Sequence, residues 1–287
     1  MENLKIKLVS ILLFTLIFTS CKESEKTEKK VVEETTRTEI KMKKNNKNSD
    51  KMEVMLHATS QPNYMNFILK NKEALKIDKK HYQKLEEIRK VKSPKAVKAA
   101  YSIKEIEENI YQLSLDNIEK EPLLNNLEKS LILRNSLAKM KLDCRNKVLE
   151  ILNEEQWNEL LKMYKEKLPF DDKTEMISLI EHVNPLPNYM QLIKKSDVKL
   201  DKEQEEKLSK WSNQNHPKMM ELAAKVNTLE KEVYELSMNK ETSENILKKV
   251  NEIANVKKQI VITKTDCRDN LKNNILSKEQ WEVLSSK

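Results

Sequence analysis

The chain has 287 residues, which is the length of about two ordinary domains, and it contains no glycine. It therefore has no phosphate-binding loop, dinucleotide-binding motif or nucleophile elbow, because each of these needs backbone without a Cβ atom. The 54 Lys and Arg outnumber the 46 Asp and Glu by a net charge of +8, but both signs are interleaved throughout, so we expect a solvated surface and no nucleic-acid partner.

The N-terminus has the features of an export signal. An apolar run from Leu8 to Phe18 is too short to span a bilayer, and Thr19-Ser20-Cys21 follows it. This ending resembles the lipobox of bacterial lipoproteins and predicts a signal peptide over residues 1–20 with lipid attached to Cys21. The alternative is an ordinary secreted protein with a chance cysteine. Residues 21–50 lack aromatic residues and are predicted to be a disordered tether.

The remaining chain carries one module twice. Pro62-Asn63-Tyr64-Met65 recurs as Pro187-Asn188-Tyr189-Met190, and further on the repeat distance settles at 123 residues before it increases by one near the end of each copy. Such a repeat indicates a duplicated structural unit. We predict a first module over residues 51–172 and a second over 173–287. Two further motifs recur in both copies, namely Tyr111-Gln-Leu-Ser with Tyr234-Glu-Leu-Ser, and Asp143-Cys-Arg with Asp266-Cys-Arg.

Each module is predicted to be all-α, with three to four helices. Apolar residues at spacings of three and four indicate a long second helix that pairs with a third helix as an antiparallel hairpin. Pro94 and Pro217 are predicted to occupy the first position of the second helices, where a proline is well tolerated.

A five-residue box recurs at predicted helix starts. Each box begins with leucine, continues with an Asn, Ser or Asp that is suited to cap a helix, and ends with a glutamine that closes a capping box. A degraded copy runs from Ile77 to His81. The intact boxes begin and end at Leu152 and Gln156, Leu200 and Gln204, and Leu276 and Gln280.

With one box opening the first helix and one opening the last, each module resembles the Spy/CpxP family of periplasmic proteins and its Leu-Thr-x-x-Gln motif. The resemblance covers roughly residues 55–168 and 180–287. It implies curved helical hairpins in a cradle-shaped dimer, an ATP-independent chaperone or stress-response role, and heavy-metal sensing or storage in related members. The chain differs in its tandem modules, its lipid anchor and its Asn or Asp in the boxes. Two modules in one chain are therefore expected to form a pseudo-dimer.

Several side chains are candidate ligands for a soft or borderline transition metal such as copper or zinc. The hairpin register of the second module brings His216, Met219 and Cys267 to one level. The repeated His57 and His182 are further candidates, although packing under a tyrosine explains them equally well. Cys144 and Cys267 are equivalent by the repeat. They form either a disulfide or two separate buried thiols, and we expect the separate thiols.

No catalytic constellation recurs with the repeat, so we expect no enzyme. Two functions remain. The first is a module that binds unfolded or envelope partner proteins, which an exposed apolar, methionine-lined face with surrounding lysines would favour. The second is a metal sensor or buffer, which convergence of His, Met and Cys side chains would favour.

Overall fold

The computed structural model describes residues 47–116, 118–167 and 184–286. All regular secondary structure in these ranges is helical, which confirms the all-α prediction. Cys21, the signal peptide, most of the tether and His182 lie outside the described residues. The helices are α1 (Lys47–Ala58), α2 (Tyr64–Lys70), α3 (Lys79–Leu115), α4 (Lys120–Ile151), α5 (Glu154–Lys167), α6 (Tyr189–Lys195), α7 (Lys202–Met238), α8 (Ser243–Asn270) and α9 (Lys278–Ser285).

The prediction that Pro94 and Pro217 start helices was wrong. Both lie inside 37-residue helices, α3 and α7, which begin at the capping residues Asp78 and Asp201. Each proline removes one backbone hydrogen bond, at a cost of about 3 kcal/mol in a helix interior. Both prolines are exposed, so water can satisfy the carbonyl group that each one leaves without a donor.

The two halves of the described chain contain matching helices. Helix α3 packs along α4, and α7 packs along α8, with connections of only a few residues between the members of each pair. Short connections make the members of each pair antiparallel. The arrangement is compatible with tandem helical hairpins, and residues 46–287 form a single compact unit.

A π-helical turn accounts for the extra residue in the second copy. Helix α8 continues into a π-helix over Leu271–Ile275, where the repeat distance changes from 123 to 124 residues, whereas α4 ends without such a turn. A π-turn holds one more residue than an α-turn. The insertion is therefore absorbed locally, and the box that begins at Leu276 keeps the position that its counterpart has in the first module.

The ends of the two long helices are exchanged between the modules. Tyr234 and Met238, from the end of α7, lie in the apolar cluster built around Tyr64 and Trp157 of the first module. Conversely, Leu115 from the end of α3 lies in the cluster around Trp281, and Tyr111 packs against that cluster. The repeated Tyr-x-Leu-Ser motif thus lies at one contact between the modules, and the exchange is reciprocal as in an isologous dimer.

Helices α4 and α8 also pack against each other across the module boundary. The Lys120 ammonium lies 2.6 Å from the Asp266 carboxylate, and Lys258 donates to Glu128 at 3.4 Å. Residue numbers rise along one helix as they fall along the other, so the two helices run antiparallel.

The π-turn generates a prediction about deletions. Removing the exposed Asn273 is expected to convert the turn to α-helix, to restore a repeat distance of 123 and to leave a folded protein. Removing the exposed Glu150 from α4, which has no such turn, rotates everything after it by about 100° and is expected to unfold the last helix of the first module. Circular dichroism and urea unfolding of the two deletion variants test this, and equal losses of stability would contradict the assignment.

Candidate functional site

The capping boxes join helices as well as starting them. In the second module, the side chains of Gln204 and Gln280 each close a capping box at the start of α7 and α9. The two amides also bond to each other, with Nε2 to Oε1 distances of 2.7 and 3.0 Å. Each amide also donates to a backbone carbonyl that precedes the other glutamine's capping box. Gln204 donates to Ile275 at 2.8 Å, and Gln280 donates to Lys199 at 2.7 Å.

In the first module, only one of the two glutamines is present. Gln156 closes a capping box with Asn153 and donates to the carbonyls of Leu75 and Lys76 at 3.2 and 3.1 Å. His81 stands where the second module has Gln204, and its backbone N–H donates to Asp78 at 2.8 Å. The degraded box therefore still caps α3, but without the mutual amide pair.

A lysine that is half-buried in the first module and buried in the second supports the chain before each Pro-Asn-Tyr-Met motif. Lys141 donates to the carbonyl of Gln61, and its counterpart Lys264 donates to the carbonyl of Leu186 at 3.2 Å. Burial lowers the pKa of Lys141 from 10.5 to about 8. These two bonds fix the start of α2 against α4 and the start of α6 against α8.

An ionic network lies where α1 meets the first hairpin. The His57 Nε2 atom lies 2.6 Å from the Glu107 carboxylate, and Arg134 donates to the same carboxylate at 2.8 Å. Arg134 also donates to the backbone carbonyls of His57 and Ala58. Burial alone would raise the pKa of Glu107, but the Arg134 guanidinium and the hydrogen bonds from His57 and Ser130 hold that pKa well below its usual range.

The equivalent pair in the second module is Glu230 with Lys257. The two charged atoms lie 3.1 Å apart, and both side chains are buried. Burial lowers the pKa of Lys257, and the Glu230 carboxylate opposes that shift. A buried pair of this kind is costly to break, by about 3–5 kcal/mol, because removal of one partner leaves an uncompensated charge.

A groove of about 470 Å³ opens beside the first ionic network, between α1, α3 and α6. Its apolar wall includes Val54, Tyr111, Leu186 and Leu192. The Lys264 bond positions the chain at Leu186, so the buried lysine helps to shape this wall.

The rim of the groove carries charges of both signs. Glu53 and Glu108 are exposed acids, while Lys104 and Lys195 supply cations, and Lys104 lies 3.9 Å from Glu108. An apolar wall with a few polar groups on its edge is the usual composition of a ligand-binding cleft.

The three proposed metal ligands of the second module lie in different surroundings. His216 is exposed on α7, Met219 belongs to the cluster between α7 and α8, and Cys267 belongs to the cluster around Trp281. His57 pairs with Glu107, and His182 lies outside the described residues. Within the described ranges, no group of three His, Cys, Asp or Glu side chains is placed to hold a metal ion.

Both described cysteines are free thiols, as expected for separate positions. Cys144 is half-buried and Cys267 is buried. Burial raises the pKa of Cys144, and it raises that of Cys267 to about 12. The protonated thiol is therefore the favoured form in both modules, whereas a thiolate is the form that binds metals.

The sequence analysis did not identify the roles of Lys141 and Lys264, the long-range hydrogen bonds of the glutamines, or the groove. Lys141 and Lys264 stand two residues before the repeated Asp-Cys-Arg motif, and that recurrence was an available signal. A capping box explains the glutamines without any distant partner, so the sequence pattern indicates only local caps. The groove depends on contacts between modules, which the repeat alone does not reveal.

The methionines whose side chains the structure describes, from Met55 to Met238, are buried or half-buried, and they form no exposed methionine-lined face. Large apolar side chains that are exposed on the described surface are Leu56, Val91 and Val283. None of the described helices is both long and apolar enough to cross a membrane. Comparison of the chain with known protein families, curated proteins and solved structures gave no match.

The low pKa of Lys141 generates a prediction of pH dependence. Between about pH 8 and 10.5 the unfolded chain holds a proton that the folded chain has lost at this position, so its contribution to the free energy of unfolding rises with pH across that range. Below pH 8 both states are protonated, and the contribution is constant. Lys141→Met is expected to remove this rise, while Lys139→Met, at an exposed position on the same helix, keeps it.

Urea unfolding of the three proteins at a series of pH values measures this effect. The difference in unfolding free energy between the parent and Lys141→Met should change across the stated range. A difference that stays constant from pH 7 to 10.5 would show that Lys141 has an ordinary pKa in the folded protein.

Proposed function

We propose that the protein is a lipid-anchored envelope protein that binds segments of unfolded or partner proteins, without ATP, in the groove between α1, α3 and α6. The observation that carries this proposal is the combination of an apolar wall with a rim of mixed charge. A volume of about 470 Å³ lies within the range of roughly 300–1,000 Å³ that is usual for binding clefts.

The charge pattern of the rim suits a protein ligand. Glu53, Glu108, Lys104 and Lys195 offer partners for side chains of either sign, whereas a groove for nucleic acid or phosphate would be mainly basic. The walls come from both modules, so the groove exists only when the modules are assembled. The resemblance to the Spy/CpxP family and the absence of glycine-rich nucleotide-binding loops support the same function.

Suppression of aggregation tests the proposal. Residues 46–287, which form a compact unit, should slow the aggregation of two different denatured client proteins without nucleotide. Leu192→Asp places a charge in the apolar wall and is expected to reduce this suppression several-fold. Val91→Asp, a matched change at an exposed position of α3 outside the groove, is expected to leave it unchanged.

Two results would count against the groove as the client site. Lack of suppression at a several-fold molar excess would remove the chaperone function altogether. Equal losses in Leu192→Asp and Val91→Asp, with both variants folded by circular dichroism, would place client binding elsewhere on the surface.

The membrane anchor is tested separately. Cys21 is the thiol that the lipobox resemblance assigns to lipidation. In the full-length chain, Cys21→Ser is expected to move the protein from the membrane fraction to the soluble fraction, and metabolic labelling with a fatty acid is expected to be lost. An unchanged distribution and retained label would contradict lipidation at this position.

A further inference from the structure

The groove has a counterpart in the other half of the molecule that is already filled. By the internal repeat, three of the groove residues, Tyr111, Asn188 and Leu192, correspond to Tyr234, Asn63 and Phe67. All three of these counterparts contact a single side chain, that of Tyr164 near the end of α5.

Tyr164 is held by both its ring and its hydroxyl group. The ring centroid lies 5.0 Å from that of Phe67 in an edge-on arrangement and 6.3 Å from that of Tyr234. It lies 5.7 Å from that of Tyr64, whose counterpart is Tyr189. The backbone N–H of Asn63 donates to the Tyr164 hydroxyl at 3.0 Å, and only 5% of Tyr164 is exposed.

The last helices of the two halves differ in their described length. Helix α5 has 14 residues and runs to Lys167, whereas α9 has 8 residues and ends at Ser285, the counterpart of Leu161. The described part of α9 therefore stops before the position that Tyr164 holds in α5. In the second half, the matching walls line an open groove instead of enclosing a tyrosine.

We propose that this groove takes the side chain of a tyrosine from a bound protein segment. The inference rests on the proposed function and names the residue that anchors the client. The ring would pack against Tyr111 and Leu192, and the hydroxyl would accept a hydrogen bond from the Asn188 backbone N–H. Buried aromatic pairs add to the energy of simple burial, so the site favours tyrosine over an aliphatic side chain.

The hydroxyl group distinguishes tyrosine from phenylalanine. A bound phenylalanine would cover the Asn188 N–H without supplying an acceptor, and an unsatisfied buried donor lowers affinity. The site is therefore expected to rank tyrosine first, phenylalanine second and leucine third.

Fluorescence anisotropy with labelled peptides tests this ranking. The probe is a short unstructured peptide with one tyrosine among alanine, serine and lysine, and the matched peptides carry phenylalanine, leucine or alanine in its place. Residues 46–287 are expected to bind the tyrosine peptide roughly tenfold more tightly than the alanine peptide. Leu192→Asp is expected to abolish the preference, and Val91→Asp to retain it. Equal affinities for all four peptides would overturn the proposal.

An extension of the chain provides a second test, which does not depend on a variant with a disrupted groove. Copying Tyr164-Lys-Glu-Lys167 directly after Lys287 places a tyrosine at the position that corresponds to Tyr164 by the repeat. The extension is expected to raise the melting temperature and to weaken binding of the tyrosine peptide roughly tenfold, as an intramolecular competitor. The same extension with alanine instead of tyrosine is the control. Identical behaviour of the two extended proteins would overturn the proposal.

The outcomes separate this inference from the proposed function. Suppression of client aggregation without any preference for tyrosine would support the chaperone function and contradict the proposed tyrosine site. Tyrosine preference without suppression supports the anchor site and removes the chaperone function. Phe170 lies near the boundary between the two modules in the sequence, outside the described residues. Tighter binding of the tyrosine peptide by Phe170→Ala would identify the chain's own Phe170 as the occupant, and would overturn the assignment to a client.

Discussion

The ends of α3 and α7 lie in the cores of the opposite modules, and the rest of the architecture depends on this exchange. Met238 is buried among residues of the first module, and Leu115 is buried among residues of the second. Truncation of a buried Leu or Met to Ala costs about 2–5 kcal/mol, while a whole domain is stable by only about 5–15 kcal/mol. Neither module therefore has a complete core without the other, and the surfaces that face the boundary are built jointly.

Buried polar groups then fix the geometry around that shared core. The amide pair of Gln204 and Gln280 holds the starts of α7 and α9 together, and Lys264 holds the chain that leads into α6. Because polar groups of this kind are costly when left unpaired, they favour one arrangement of the helices over other compact packings. The groove wall at Leu186 and Leu192 inherits its position from these contacts.

The features that could be predicted are those that depend on residues close together in the sequence. The all-α fold, the duplication and the capping residues follow from composition, spacing and short motifs, and the structure has helix caps at Asp201 and Ser277 as predicted. The prediction for Pro94 and Pro217 was wrong because a proline that starts a helix and one on the exposed side of a long helix look alike in sequence. The groove was beyond prediction because it depends on which module each Tyr-x-Leu-Ser motif enters. The repeat showed that the motif matters but not where it packs.

The unequal lengths of α5 and α9 have a consequence for how such a protein can change over evolutionary time. In a symmetric homodimer every substitution appears twice, so a helix long enough to plug one cleft would plug both. Once two copies are joined in a single chain, each copy drifts independently. The first half encloses Tyr164, which packs against Phe67 and accepts a hydrogen bond from the Asn63 backbone N–H, while the matching residues of the second half line a groove. Two copies of one sequence in a single chain can therefore place matching residues in a buried core in one half and along a groove in the other.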